Sequence, residues 1–510
     1  MELELKKEHF DCYRPAAPIL STREESAETI VPDYSPDVGR IVDVSACLLP
    51  RSQTIADGRL TVEGSVRLTL LFMAEEAQGL RSLEYAIPFE QSERLPDGCE
   101  KVSAEGRVCN PEVRLLNPRK LFTRLDVEWR FTPYCRETLA VCGEIPDQEA
   151  YAIETLREKH EVSLIRAIGE KDFVFSDELT IPSGREAVCE LLRTRVKPRV
   201  TETKSIGSKA VLKGVVCVSL LYAAEDGKLC SYAEELPFSQ ILDGVAEGEG
   251  GDISASTVLN LSGCEIHTSG EGSDGGGRTV SVKLFMNAFV VLRGTETVNC
   301  ITDLYSTAYE FDAQTERVEL WHEPETLTVT QSVREQLDTG TEVKCVLSAD
   351  VCFGGASARQ EGERTVLRAP ATVSALYLDE SDVPRAASRR IEVTAESAAD
   401  GEVQVEAVCP GDITANINAN GIELRFPADF TVLSAEATPC VCLTKLSVEK
   451  PDAQSCDLPS LVLRALCEGE TLWDIAKQYR TTIAEILSAN ELSGSAAAEA
   501  GQMLLIPRKR

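Results

Sequence analysis

The chain has 510 residues, 43% of them hydrophobic and 26% charged, which is enough for three or four domains of an ordinary soluble globular protein. Its net charge of −31 argues against binding to nucleic acid or to anionic membrane, because both partners require a basic surface. No run approaches the length of about 18 apolar residues that a membrane span needs. The first residues lack the apolar core of a signal peptide, so the sequence predicts a cytoplasmic protein without membrane insertion.

One stretch of sequence occurs three times. It reads LTVEGSVRLTLLF at 60–72, AVLKGVVCVSLLY at 210–222 and TVLRAPATVSALY at 365–377. Alternate residues of each copy are apolar, as in a strand with one face in a core. These three copies, which we call the signature strands, predict one structural unit used repeatedly.

A small residue occupies the middle of each signature strand. Gly64 corresponds to Gly214 and to Ala369, which predicts a bend or the close passage of another segment. Pro370 follows in the third copy only. Because proline cannot donate a hydrogen bond to a neighbouring strand, we expect this copy to bend or to lie at a sheet edge.

The sequence around the signature strands predicts a mainly β fold. Short β-branched stretches, separated by turns, follow one another at a spacing of roughly ten residues, which is typical of a β sandwich or barrel. We therefore predict three repeated, sandwich-like units and a linker where the pattern breaks, before a small C-terminal domain. The predicted bounds are 1–155, 156–315 and 316–450 for the repeats, 451–460 for the linker and 461–510 for the last domain.

The last domain has a different pattern, in the order strand, helix, helix, strand. Thr471 and Thr482 each stand three residues before an acidic residue, as at the start of a helix with a capping box. Apolar residues follow Thr471 on one helical stripe. They are Leu472, Ile475, Ala476 and Tyr479. The sequence therefore predicts a small α+β domain of βααβ order.

The residues that could carry chemistry form no catalytic pattern. The 18 cysteines are dispersed without any C-x2-C spacing, which favours small buried residues in a reducing compartment over a disulfide framework or a metal site. The four histidines stand in no nucleophile or metal-ligand motif. We predict that the protein is not an enzyme and holds no metal or cofactor.

A glycine motif in the second repeat needs separate treatment. Gly270, Gly272 and Gly275 spell the G-x-G-x-x-G pattern of dinucleotide-binding proteins. That site requires a strand before the motif and a helix after it, whereas this motif lies between two strand-like stretches. It predicts a hairpin loop.

Residues 461–507 resemble a LysM domain, with Gly-Glu-Thr-Leu-Trp at 469–473 and Gly-Gln at 501–502 among the matching residues. The resemblance implies a shallow groove between the loops before the first helix and after the second, where backbone groups bind N-acetyl groups of glycans. The residues expected to bind a ligand or partner are Gly469, Glu470, Thr471, Leu472, Trp473, Asn490, Glu491 and Leu492. At its helical spacing, however, Trp473 is more often a core residue. Arg480 stands where the family usually has glycine, and a left-handed conformation there would cost about 1 kcal/mol.

With this domain at the end, the three acidic units resemble SPOCS domains, and the chain resembles spore-envelope morphogenetic proteins of the SipL and SpoVID type, with an arrangement closest to SipL. The stretch VPDYSPDVGRIVDVSA at 31–46 and the Pro-Phe strand ends carry this resemblance. It implies a non-enzymatic scaffold in spore coat assembly, located in the mother-cell cytoplasm at the forespore surface. Its LysM domain would then dock on SpoIVA, the ATPase that polymerises there.

The alternative is a protein that binds peptidoglycan, through its N-acetylglucosamine units, in the cortex or cell wall. The absence of a signal peptide favours the protein partner, because a cytosolic domain does not meet finished peptidoglycan. The single LysM copy favours it as well, since wall-binding proteins often gain avidity by repeating the domain.

Overall fold

The computed structural model describes residues 2–75, 79–207, 209–243, 253–269, 277–362, 364–399, 402–449, 459–492 and 501–508. Strands dominate these ranges, and the two helices found in them are short. The prediction of a mainly β fold is thus confirmed. Neither helix is long and apolar enough to cross a membrane.

The first thirteen strands cover the described part of the chain up to residue 306. They are β1 (Lys6–Pro15), β2 (Ile19–Ile30), β3 (Val38–Ala56), β4 (Arg59–Ala74), β5 (Leu80–Arg94), β6 (Cys99–Asn117), β7 (Lys120–Glu144), β8 (Ile153–Thr180), β9 (Glu190–Ile206), β10 (Lys209–Ala223), β11 (Leu229–Asp243), β12 (Ile253–Ser269) and β13 (Thr279–Ser306).

The remaining elements include both helices. They are β14 (Glu310–Trp321), β15 (Glu325–Leu337), β16 (Val343–Phe353), β17 (Ser357–Glu361), β18 (Arg364–Asp379), β19 (Pro384–Ser397), β20 (Glu402–Val408), β21 (Thr414–Asn418), β22 (Gly421–Ala435), β23 (Ala437–Glu449), β24 (Leu461–Ala465), α1 (Leu472–Tyr479), α2 (Ile483–Ala489) and β25 (Met503–Pro507).

Each signature strand is the middle strand of a small antiparallel sheet. Strand β4 lies between β3 and β5, and β10 lies between β9 and β11. Strand β18 has β19 on one side, and β16 and β17 one after the other on the opposite side. The three copies of one sequence therefore form strands with equivalent neighbours.

A second set of sheets completes the fold. One seven-stranded sheet runs in the order β12, β13, β8, β1, β7, β2, with β6 also paired to β7. Farther along the chain, β14 pairs with β23, and β22 lies between β15 and β20 and also pairs with β21. The predicted boundary at 155 falls inside β8, and that at 315 falls inside β14. The domain bounds remain predictions.

The signature sheets pack face to face against this second set, which gives the sandwich-like cores predicted from the alternating pattern. Burying each such apolar side chain stabilises the fold by roughly 1.5–3 kcal/mol. Facing residues are Val66 and Phe131 in the first core, Val218 and Leu284 in the second, and Val373 and Phe426 in the third.

The three signature strands also meet one another. Leu71, Leu221 and Leu376 hold the twelfth position of each copy and belong to one buried apolar cluster. Their neighbours in sequence fill the separate sandwich cores. This end of each signature strand is therefore buried on both faces, whereas the alternating pattern predicted one buried face.

The small residues in the middle of the signature strands are explained by close passage, as predicted. A Cβ atom on Gly64 would lie 2.3 Å from the carbonyl oxygen of Leu49 and 2.9 Å from Phe89. On Gly214 it would lie 2.4 Å from the carbonyl oxygen of Arg199. Both distances are too short for any side chain unless the backbone moves.

Pro370 lies in a middle strand rather than at an edge. Its missing donor coincides with the interruption between β16 and β17, which pair with β18 on either side of it. The N–H of Gly354, in this interruption, donates to the carbonyl oxygen of Pro370 at 2.7 Å. The neighbouring strand, and not β18, is broken at the proline.

Two further sequence predictions concern connecting segments. Strands β12 and β13 pair antiparallel as far as Ser269 and Thr279, but the glycine motif at 270–276 lies outside the described residues. The same is true of residues 451–458 of the predicted linker. All cysteines in the described ranges are free thiols.

Candidate recognition site in the C-terminal domain

The C-terminal domain has the predicted order of two strands and two helices. Strands β24 and β25 pair antiparallel, with Leu463 opposite Leu505. Both helices pack on this pair through a small apolar core. Its fully buried members from this domain include Ile475, Ala476, Ile486, Leu504 and Ile506.

Both helices begin with the predicted capping boxes. Asp474 donates its backbone N–H to Thr471 Oγ1, and its carboxylate accepts from the backbone N–H of Thr471 at 2.9 Å. The hydroxyl of Thr471, which donates to the same carboxylate at 2.6 Å, and the N–H of Thr471 lower the pKa of the Asp474 carboxyl group. Thr482 and Glu485 make the same exchange at the start of α2. Such a cap is worth about 1 kcal/mol, which is a large contribution for helices of two turns.

Arg480 ends α1 in the left-handed conformation, with φ 53°, and not in a different helix end. The conformation is unfavourable for a residue with a Cβ atom. Its guanidinium group pairs with Glu310 of β14, outside the domain. The side chain thus makes a contact that a glycine at this position could not make.

The loop before α1 is exposed and held in place by an ion pair. Gly469 has φ +81°, and the space around its missing side chain is open. The carboxylate of Glu470 accepts hydrogen bonds from Arg464 at 2.7 Å and from the backbone N–H of Cys467 at 3.2 Å. Arg464 in turn lies over the ring of Tyr479. The loop is therefore shaped by contacts with its own domain and leaves Gly469 accessible.

The loop after α2 is held by Asn490. Its amide nitrogen donates to the carbonyl oxygens of Ile486 and Leu505, each at 2.7 Å, and its amide oxygen accepts from the N–H of Leu505 at 2.7 Å. Leu492 packs on the same core as Leu472. Glu491, which lies between Asn490 and Leu492, is exposed and has φ 54°. Asn490 thus joins the end of α2 to β25.

The eight residues predicted for binding are therefore in different environments. Leu472 and Trp473 are buried, with 6% and 8% of their surface exposed. Gly469, Thr471 and Glu491 are exposed, and the other three are partly exposed. The two loops are attached to one core, and a ligand there would meet exposed backbone together with these six residues.

Trp473 faces the body of the protein. Its indole N–H donates to Asp303 of β13 at 2.8 Å, and its ring meets that of Tyr305 edge-on, with centroids 4.9 Å apart. Lys477 donates to both carboxylate oxygens of Asp303, at 2.6 and 2.8 Å. Tyr305 donates its hydroxyl to the carbonyl oxygen of Thr481 at 2.8 Å. We call these five residues the anchor.

The anchor was not found by sequence reasoning. Asp303 and Trp473 are 170 residues apart in the chain, and neither belongs to a motif that indicates the other. Burial opposes ionisation of Asp303, but the hydrogen bonds from Lys477 and Trp473 outweigh it and lower the pKa of its carboxyl group. Burial also raises the pKa of Tyr305. The C-terminal domain is thus attached through α1, and the two loops remain exposed beside the attachment.

This geometry defines a β-rich repeat protein with a recognition domain fixed at its C-terminus. A family model of the LysM domain matches residues 468–507. The SipL, SPOCS domain model matches residues 37–113 and 187–266, which hold the first two signature strands and their neighbours. No curated protein and no solved structure matches the chain.

The chain therefore contains SPOCS and LysM domains. The third signature strand, at 365–377, lies outside the matched segments, so the count of three SPOCS units remains a prediction. SPOCS and LysM are non-catalytic domain families. Together they support a sporulation-related protein with the capacity to bind peptidoglycan or related N-acetylglucosamine glycans.

Proposed function

We propose that the chain is a non-enzymatic adaptor in spore-envelope assembly. In this proposal its LysM domain docks on a SpoIVA-like coat ATPase at the forespore surface, within the mother-cell cytoplasm. The observation that supports it most is the anchor, because it holds the LysM domain in one orientation on the β-rich body while Gly469, Thr471 and Glu491 stay exposed.

A fixed orientation suits a scaffold. When the domain binds its partner, the body is positioned at the same time, and no further entropy is lost in ordering one part against the other. A wall-binding module that works by avidity is better served by a flexible connection and several copies. This chain carries one LysM match and a side-chain contact between that domain and its body.

The distribution of charge supports the same reading. Residues 461–510 contain six Lys or Arg and six Asp or Glu, so the net charge of −31 belongs to the rest of the chain. An acidic body is repelled from anionic polymers and from other acidic bodies. The electrically balanced LysM domain is then the part of the chain whose approach to a partner is least opposed by charge repulsion.

The test compares two partners with the full chain. We would measure its affinity for a purified SpoIVA-type ATPase and, separately, for chitooligosaccharides and peptidoglycan fragments. The variant Glu491→Lys reverses the charge of an exposed side chain in the loop after α2. Glu380→Lys, at the exposed turn between β18 and β19, is the matched control.

We expect binding to the ATPase that is at least about tenfold weaker in Glu491→Lys and unchanged in Glu380→Lys. Equal affinity of both variants for the ATPase, or no binding by the wild-type chain, would refute docking through these loops. In cells, a fluorescent fusion that lacks residues 461–510 should no longer concentrate at the forespore.

The second candidate is binding of peptidoglycan, and the LysM match at 468–507 favours it. It predicts binding to glycan fragments with more than one N-acetylglucosamine unit, again weakened by Glu491→Lys. Glycan binding without ATPase binding would move the function to the cortex or cell wall.

A further inference from the structure

Three cysteine thiols that are distant in sequence meet in the interior. Cys440 and Cys442 alternate on β23, so both side chains point to the same face, and Cys300 reaches them from β13 in the facing sheet. The sulfur of Cys442 lies 3.9 Å from that of Cys300 and 4.0 Å from that of Cys440. All three sulfur atoms lie within 4.8 Å of one another.

These sulfur–sulfur distances match those between the ligands of a metal–thiolate site. Zinc binds thiolate sulfur at about 2.3 Å, which in a tetrahedron separates the sulfur atoms by about 3.8 Å. A disulfide needs a sulfur–sulfur distance of about 2.05 Å, roughly half of what is observed. The three thiols are thus arranged as ligands around one point and not as a bonded pair.

The surroundings are otherwise apolar. The cluster that holds the three cysteines also contains Val162, Val298 and Leu320, all of them buried. A thiol gains little from hydrogen bonding to another thiol in such a place. Sharing one cation would stabilise three of them at once.

We propose that Cys300, Cys440 and Cys442 bind a thiophilic metal ion, and that Zn²⁺ fits the site best. Thiolates select soft or borderline ions such as Zn²⁺ and Cu⁺. Three thiolates around Cu⁺ leave a buried charge of about −2, whereas around Zn²⁺ they leave about −1. Because a buried charge is costly, the apolar cluster favours Zn²⁺.

Structural zinc sites almost always have four ligands, and His160 is the candidate for the fourth. Its ring nitrogens are not within 4.8 Å of all three sulfur atoms, so the side chain would have to turn toward the ion. His160 lies opposite Val298, two residues from Cys300 along β13 and on the same face of the sheet. Its Nε2 atom is buried and lies 3.2 Å from a carboxylate oxygen of Glu158, but the angles between the two groups do not form a hydrogen bond. A Cys3His set is one of the common structural zinc sites.

Binding of the ion requires the three cysteines to release their thiol protons. The thiolate, and not the thiol, is the metal ligand. A bound ion would join β13 to β23, which belong to the second and third predicted repeats, and would add its binding energy to the stability of their contact.

The test uses the full chain, purified under reducing conditions. We expect about one zinc per chain by elemental analysis, and a thiolate-to-metal charge-transfer absorption after replacement by Co²⁺. The variant Cys442→Ser should bind zinc at least about 100-fold more weakly. Cys12→Ser is the matched control, because Cys12 is buried in the same apolar cluster but outside the three-sulfur group.

His160→Ala should weaken zinc binding about tenfold and leave the cobalt charge-transfer band in place, since the three sulfur ligands remain. A chelator should lower the Tm of the wild-type chain and leave that of Cys442→Ser unchanged. Two results would overturn the proposal. One is that the reduced wild-type chain takes up neither Zn²⁺ nor Co²⁺ at about one ion per chain. The other is that the cobalt charge-transfer band is the same in Cys442→Ser as in the wild-type chain. The wild-type measurements decide the question even where a variant does not fold.

Discussion

Arg193 and Asp43 form an ion pair where the three signature sheets meet. The Nη1 atom of Arg193 donates to Oδ2 of Asp43, and Nη2 donates to Oγ of Ser348 at 2.8 Å. The arginine is 3% exposed. One guanidinium group therefore connects β9 with β3 and with β16.

These three residues hold equivalent positions. The last residue of each signature strand is aromatic and pairs with a residue of the neighbouring strand. Asp43, Arg193 and Ser348 each follow that paired residue by two positions. The three aromatic pairs are Phe72 with Ile41, Tyr222 with Leu191, and Tyr377 with Val346. At this position the three predicted repeats have aspartate, arginine and serine, and the arginine donates hydrogen bonds to the other two.

Arg193→Ala should destabilise the body strongly. The change leaves Asp43 without its partner in a largely buried place, and breaking such a pair typically costs about 3–5 kcal/mol. Urea unfolding followed by circular dichroism measures this loss. The double variant Arg193→Ala with Asp43→Ala should recover part of the stability, because no charge is then left unpaired.

The control for this prediction is Arg364→Ala, which removes an exposed pair with Glu396 and should change little. A similar decrease in the free energy of unfolding in both arginine variants would show that burial does not increase the contribution of the Arg193 ion pair.

Gly64→Ala and Gly214→Ala should each destabilise the fold by about 1–3 kcal/mol, since the new methyl group would overlap a backbone carbonyl of the neighbouring strand. Thermal unfolding of the single variants measures the effect. Gly184→Ala is the matched control, because nothing lies within 4 Å of its missing Cβ and its φ is not in the left-handed region. Unchanged stability of Gly64→Ala would contradict the close approach of Leu49.

Asp303→Asn should loosen the C-terminal domain from β13. The asparagine can still accept from Trp473, but the ion pair with Lys477 is lost. Hydrogen exchange in α1 should therefore be faster in the variant. Glu310→Gln, at the neighbouring pair with Arg480, provides a comparison that leaves Asp303 intact.

The same contact should depend on pH. The folded-state pKa of Asp303 lies below its unfolded value of about 3.9, so its contribution is complete above that pH and is lost as the pH falls through the folded value. Protection of α1 from exchange should fall in this acid range in the wild-type chain and much less in Asp303→Asn. Identical acid profiles would remove Asp303 as the cause.

Asn490→Ala should destabilise the LysM domain by about 1–3 kcal/mol, because the carbonyl oxygen and the N–H of Leu505 lose their side-chain partner and the carbonyl oxygen of Ile486 loses one of its donors. Ser488→Ala, two residues earlier and exposed, should be neutral. Local exchange rates in α2 and β25 measure both. A loss of ligand binding by Asn490→Ala accompanied by faster exchange would therefore report a damaged fold and not a lost ligand contact.

Several elements were predictable because their causes are local. The strands of the three copies follow from alternation of apolar residues, and the starts of α1 and α2 follow from Thr471 and Thr482 with their acidic partners three residues later. The close passage at Gly64 was one of two predicted explanations, because a small residue recurs at the same position in all three copies. The position of Arg480 in the LysM pattern indicated the end of α1 but left open whether the helix would end in the left-handed conformation.

The sequence by itself determined that the chain is mainly β, that one strand recurs three times, and that a LysM domain follows, because periodicity, caps and turns act over a few residues. Only the tertiary structure decided that Trp473 faces Asp303, that Arg193 joins Asp43 and Ser348, and that Cys300 meets Cys440 and Cys442. These contacts join residues more than 100 positions apart. Sheet packing brings them together, and no local pattern of residues encodes which distant side chains will face each other.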